Sequence, residues 1–224
     1  MKILVHTWSL IKKEARLELK NMYGIASVIL YVVAIIVVLY LSLASQGANK
    51  NIEVKYWNVL FWIMLLFAAI NTIAKSFIQE NSSKYLYYYS LVSPLAIILS
   101  KMIYNALLML SIAIVSALLF ALVLGSPVQN IGVYFIVILL GALSFSFLFT
   151  LVSSIASKAG NIGLTAILGL PLIVIILIYL MKLSREAFFA QTSENFFKTL
   201  GIIILFDFML FMLSIILFPY LWRD

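Results

Sequence analysis

The sequence contains no cysteine among its 224 residues, which excludes disulfides, thiolate metal sites and cysteine nucleophiles and leaves the redox compartment open. A single histidine, His6, excludes a histidine-based metal cluster within the chain. Charge is also scarce. Only 10% of residues are charged and 65% are hydrophobic, with a mean hydropathy of +1.17, whereas soluble domains run near a quarter charged and half apolar. This composition is that of an integral membrane protein.

Motifs of catalysis are absent as well. No G-x-x-x-x-G-K-[ST] loop is present to hold a nucleotide, so ATP chemistry would have to come from a partner. There is no H-E-x-x-H, no G-x-S-x-G and no D-x-x-x-D cluster for Mg²⁺, and the eight acidic residues lie mostly in short connections or at the termini. The chain is read as a non-enzyme that binds no cofactor of its own. The net charge of +7 fits basic loops facing a cytoplasm and anionic lipid better than it fits nucleic acid, and no nucleic-acid partner is expected. Residues 1–23 lack a signal-peptide h-region, because Lys12, Lys13, Glu14, Arg16, Glu18 and Lys20 interrupt them. The N-terminus is therefore expected to be retained.

What is present is a series of apolar runs: Ile25–Leu43, Trp57–Ile78, Ile97–Leu124, Ile131–Ile155, Ile162–Met181 and Leu200–Leu221. A hydrocarbon core of about 30 Å takes about 20 helical residues per crossing, so these runs predict six transmembrane helices in one permease domain over residues 1–224. The period-2 alternation of a β-barrel strand is missing. About twice as many cations fall on the side of the N-terminal segment, Lys75, Lys84, Lys101, Lys158 and Arg223 as on the side of Lys50, Lys55, Lys182, Arg185 and Lys198. That bias predicts both termini in the cytoplasm.

Ahead of the first span, Leu4, Trp8, Ile11, Ala15, Leu19 and Met22 recur at spacings of three and four, with Lys12, Lys13, Arg16 and Lys20 largely off the stripe. This pattern predicts a cytoplasmic amphipathic helix over residues 1–23. Small residues recur every fourth position in two spans, at Ala113, Ala117, Ala121 and Gly125 and at Ala142, Ser146, Thr150 and Ser154. Such stripes let helices approach closely in lipid. Pro171 within the fifth span predicts a kink or break. Asp207, roughly 10 Å into the sixth span at 1.5 Å per residue, is the carboxylate set deepest in an apolar run and a functional candidate on that ground. It is expected to form an ion pair near the outer end, with Lys198 in reach.

The segment Gln79–Ser93, QENSSKYLYYYSLVS, is polar at its start, dense in tyrosine and followed by Pro94. Tyr85, Leu86, Tyr88 and Tyr89 can share much of one helical face, giving aromatic anchors for a protein groove. An aromatic belt at the membrane interface is the alternative reading.

Four stretches together carry a resemblance: K-K-E-A-R-L-E-L-K (Lys12–Lys20), F-I-Q-E-N-S-S-K-Y-L (Phe77–Leu86), S-P-L-A-I-I-L-S-K (Ser93–Lys101) and L-G-L-P-L-I-V (Leu168–Val174). In this order, and along the whole chain, they resemble the CcmB or heme exporter protein B family. The resemblance implies an ABC-2-like exporter permease of the bacterial inner membrane that dimerises and docks on a CcmA-like ATPase. In that family the complex works with CcmC-, CcmD- and CcmE-like proteins, and ATP drives release of the heme-loaded chaperone for heme delivery to apocytochrome c. By analogy, residues 3–22 are the elbow helix. Gln79–Ser93 is then the coupling segment, with Gln79, Glu80, Lys84, Tyr85, Tyr88 and Tyr89 meeting the ATPase. ATP sits on the partner and heme is a possible cargo of the complex. Asn81, Ser82, Ser83 and Ile175 depart from the family's usual residues. The runner-up reading is an ABC-2-type permease for lipid, polysaccharide or drug.

Overall fold

The computed structural model of the protein describes residues 2–20, 22–45, 53–73, 92–161, 163–189 and 195–223. Among the described residues there are seven α-helices and no strand: α1 Lys2–Lys20, α2 Met22–Ser45, α3 Val54–Ile73, α4 Pro94–Leu124, α5 Ile131–Lys158, α6 Gly163–Glu186 and α7 Asn195–Arg223. The last five are long and apolar enough to cross a membrane, and the described apolar part of α2 runs over Ala26–Ser42.

Helix boundaries follow local chemistry. Pro94 opens α4 at a position where its missing N–H costs nothing. Gly125, at φ 80°, ends the same helix in a conformation that disfavours a side chain. Asn130 caps α5, its side-chain oxygen accepting the Val133 N–H at 3.1 Å. Helix α6 runs unbroken from Gly163 to Glu186 through Pro171, so no break is formed there; the proline withdraws only the one hydrogen bond to the Ile167 carbonyl.

Helix α5 is the centre of the bundle, with α3, α4, α6 and α7 packed around it. Its small residues are buried on several faces, among them Gly141, Ala142, Ser144, Ser146 and Ser154, which suits a helix that must touch four neighbours in lipid. Helices α3, α4, α5 and α6 run alternately up and down. One end of the bundle therefore gathers Trp57, Tyr134 and Phe188, while Ile97, Met102 and Phe218 cluster at the other.

Helix α1 packs chiefly along α4, through Leu10, which joins the Ile97, Ile98, Met102 and Phe218 cluster. Its buried face differs from the expected apolar stripe. Thr7 and Ile11 are buried, whereas Trp8 is 59% exposed with the Lys12 ammonium 5.4 Å from its ring centre. The face turned to α4 carries Glu14, which meets a buried lysine of that helix.

Candidate functional site

Most of the predicted coupling segment, including Gln79, Glu80, Lys84, Tyr85, Tyr88 and Tyr89, lies outside the described residues. Its last residue, Ser93, accepts the Ala96 N–H at 3.0 Å and so leads directly into α4.

Two turns into α4, Lys101 is 3% exposed. A cation withdrawn this far from water needs a counter-charge, and the Glu14 carboxylate of α1 stands 3.7 Å from its Nζ. The Lys13 ammonium is also 3.5 Å from the same carboxylate oxygen. Deeper in the bundle, Ser146 of α5 donates its hydroxyl to the Met102 carbonyl at 2.7 Å. Next along, Asn105 Nδ2 donates to Thr150 Oγ1 at 2.9 Å. Glu14, Lys101, Met102, Asn105, Ser146 and Thr150 therefore form a ladder of polar contacts that ties α1 to α4 and α4 to α5.

Asp207 is buried, and neither carboxyl oxygen has a hydrogen-bond partner. Ser144 of α5 lies alongside it, yet the Ser144 hydroxyl is donated to the Leu140 carbonyl at 2.9 Å. The expected ion pair with Lys198 is not formed. Helix α7 begins at Asn195, which puts Asp207 about 18 Å from that end and Lys198 roughly 13 Å away along the axis at 1.5 Å per residue. The acid is therefore near the middle of the span, deeper than the apolar run alone suggests. A cavity of about 10 Å³ beside it is walled by Ile176, Tyr179 and Ile203, about the space of one water.

The opposite end of the bundle holds a network that sequence reading missed. Trp62 Nε1 donates to Ser184 Oγ at 3.0 Å, Ser184 donates to Asn58 Oδ1 at 2.6 Å, and Asn58 Nδ2 donates to the Met181 carbonyl at 2.8 Å. These bonds fasten α3 to the last turns of α6. Above them Trp57 stacks on Phe61 and meets Phe120 edge-on, both at 5.5 Å between centroids, while its indole N–H donates to the Gly125 carbonyl at 3.0 Å. Asn58 was the available signal: it is a strong hydrogen-bonding side chain at the start of an apolar run.

The two small-residue stripes fare differently. Ala142, Ser146, Thr150 and Ser154 are all buried. On α4, Ala113 is buried, Ala117 and Ala121 are half-buried, and Gly125 is exposed at the helix end. Pro171 is exposed, two residues after the buried Gly169, which packs on the Phe149 ring. Among the described residues no three histidine, aspartate or glutamate side chains gather as a metal site.

The model of the CcmB protein family matches residues 5–219 of this chain. Neither a curated protein nor a solved structure matches it.

Proposed function

This chain belongs to the CcmB family, and on that premise we propose that it is the permease subunit through which a separate ATPase drives heme delivery for cytochrome c biogenesis. Membership makes the chain a membrane component of the heme exporter for cytochrome c biogenesis. Six spans, α2 to α7, form an ABC-2-like permease, with α1 as an elbow helix in the cytoplasmic interface and both termini in the cytoplasm of a bacterial inner membrane. Two copies dock on a CcmA-like ATPase, and the complex acts with CcmC-, CcmD- and CcmE-like proteins to release the heme-loaded chaperone. The chain itself carries no catalytic site.

The observation that best supports coupling is the ladder from Lys101 to Thr150. The helix that follows Gln79–Ser93 is bonded to α1 on one side and to the central helix on the other, so a push on that segment is transmitted and not absorbed locally. Asp207 and the small cavity beside it are the intramembrane features next in line for a functional part.

The test is cytochrome c formation in cells lacking this chain and complemented with it. Loss of covalent heme on cytochrome c, with normal apoprotein levels and restoration by the intact chain, is the expected result. Unchanged holocytochrome c in its absence would refute the assignment and favour another cargo.

A further inference from the structure

An apolar cavity of about 380 Å³ runs between α1, α2 and α4, walled by Ile11, Ala15, Val28, Val32, Tyr104 and Leu119 among others. From Tyr104 to Leu119 it extends roughly 22 Å along α4 at 1.5 Å per residue, longer than the ~15 Å depth of one leaflet. Its walls are apolar even where the residues are polar by name. Thr72 turns its hydroxyl back to the Ala68 carbonyl at 2.6 Å, and Ser111 does the same to the Leu107 carbonyl at 2.9 Å. The Ser116 hydroxyl lies buried in the wall without a partner. Along its length the cavity is open on one side, since the lining residues Ile29, Leu107 and Val115 are 44%, 54% and 43% exposed. It is thus a groove facing hydrocarbon.

The faces of α1 define the mouth of this groove. Successive residues on a helix are about 100° apart. Leu10 and Glu14 turn to α4, and Ile11 and Ala15, the next stripe round, line the groove. The stripe after that is Trp8, Lys12 and Arg16, all exposed. Two cations and an indole therefore stand on the outward rim beside the apolar channel, which is complementary to an anionic headgroup whose chain enters below. A narrow apolar groove of this length beside a cationic rim suits one extended acyl chain.

We infer that the groove between α1, α2 and α4 holds one acyl chain of an anionic phospholipid, with the headgroup phosphate at Lys12 and Arg16. The inference rests on the membrane assignment and not on the ATPase, so loss of ATPase binding leaves it standing.

The experiment is native mass spectrometry of the purified protein after exchange into vesicles of phosphatidylglycerol or phosphatidylcholine. About one phosphatidylglycerol is expected to survive delipidation per chain. Ser111→Phe fills the groove and should abolish that retention while thermal unfolding is unchanged; Leu107→Trp serves the same purpose if Ser111→Phe does not accumulate. The pair Lys12→Gln and Arg16→Gln should keep a bound chain but reduce the preference for phosphatidylglycerol by roughly fivefold per cation removed. Retention undiminished in the filled variants, equal retention of both lipids by the native chain, no retained lipid, or a second protein chain cross-linked at position 111 would each overturn the inference.

Discussion

The Trp62 ring lies directly over Gly141. A Cβ placed on that glycine would come within 2.5 Å of one ring carbon and 2.6 Å of another. The close approach of α3 to α5 is therefore set by the absence of a side chain at position 141 and by an indole that is fully buried and bonded to Ser184.

Gly141→Ala should accordingly destabilise the protein by about 1–3 kcal/mol, the usual cost of overpacking a filled core. Trp62 cannot swing aside without breaking its bond to Ser184. Gly201→Ala is the matched control, because nothing lies within 4 Å of a Cβ there. Thermal unfolding in detergent should show a lowered midpoint for the first variant and none for the second.

The Glu14 and Lys101 pair predicts an asymmetric mutant cycle. Removing Glu14 takes a counter-charge from Lys101 at a position closed to water, and removing Lys101 leaves Glu14 with Lys13; such losses cost about 3–5 kcal/mol in buried settings and less here because Glu14 keeps some exposure. Glu14→Gln and Lys101→Met should each lower stability more than the two changes combined. Additive losses in the double variant would show that the charges do not interact.

These contacts mark the boundary of what the sequence discloses. Apolar runs place α3 to α7 well, because a 20-residue hydrophobic stretch has few options besides a helix. The stripe Ala142, Ser146, Thr150 and Ser154 was legible as a packing face for the same reason. Which side of α1 is buried was not, since the choice depends on Lys101, a residue far along the chain that draws Glu14 inward and leaves Trp8 outside. The depth of Asp207 was misjudged because α7 extends back through the less apolar Asn195 and Lys198, and helix ends are set by contacts as much as by hydropathy. Asn58 and Ser184 lie on different helices, and no local pattern announces that they meet.

Asp207 supplies a third prediction. A buried acid without a hydrogen-bond partner contributes no stabilising contact, so Asp207→Asn should insert and accumulate at the native level with an undiminished melting temperature. Holocytochrome c, normalised to the amount of this chain in the membrane, should fall severalfold. Native yield at native protein level would reduce the residue to a tolerated feature of the packing.

A permease that receives its energy from another protein must hold that protein, and the most direct test is the amount of ATPase recovered per chain on affinity purification from native membranes. The native protein should bring down the ATPase in stoichiometric amount. Replacing both Tyr88 and Tyr89 with alanine should weaken the complex roughly thirtyfold or more, since a buried aromatic anchor is worth about 2 kcal/mol or more and each 1.4 kcal/mol is a decade in affinity. Absence of any ATPase with the native chain, or full recovery with the double variant, would contradict the account.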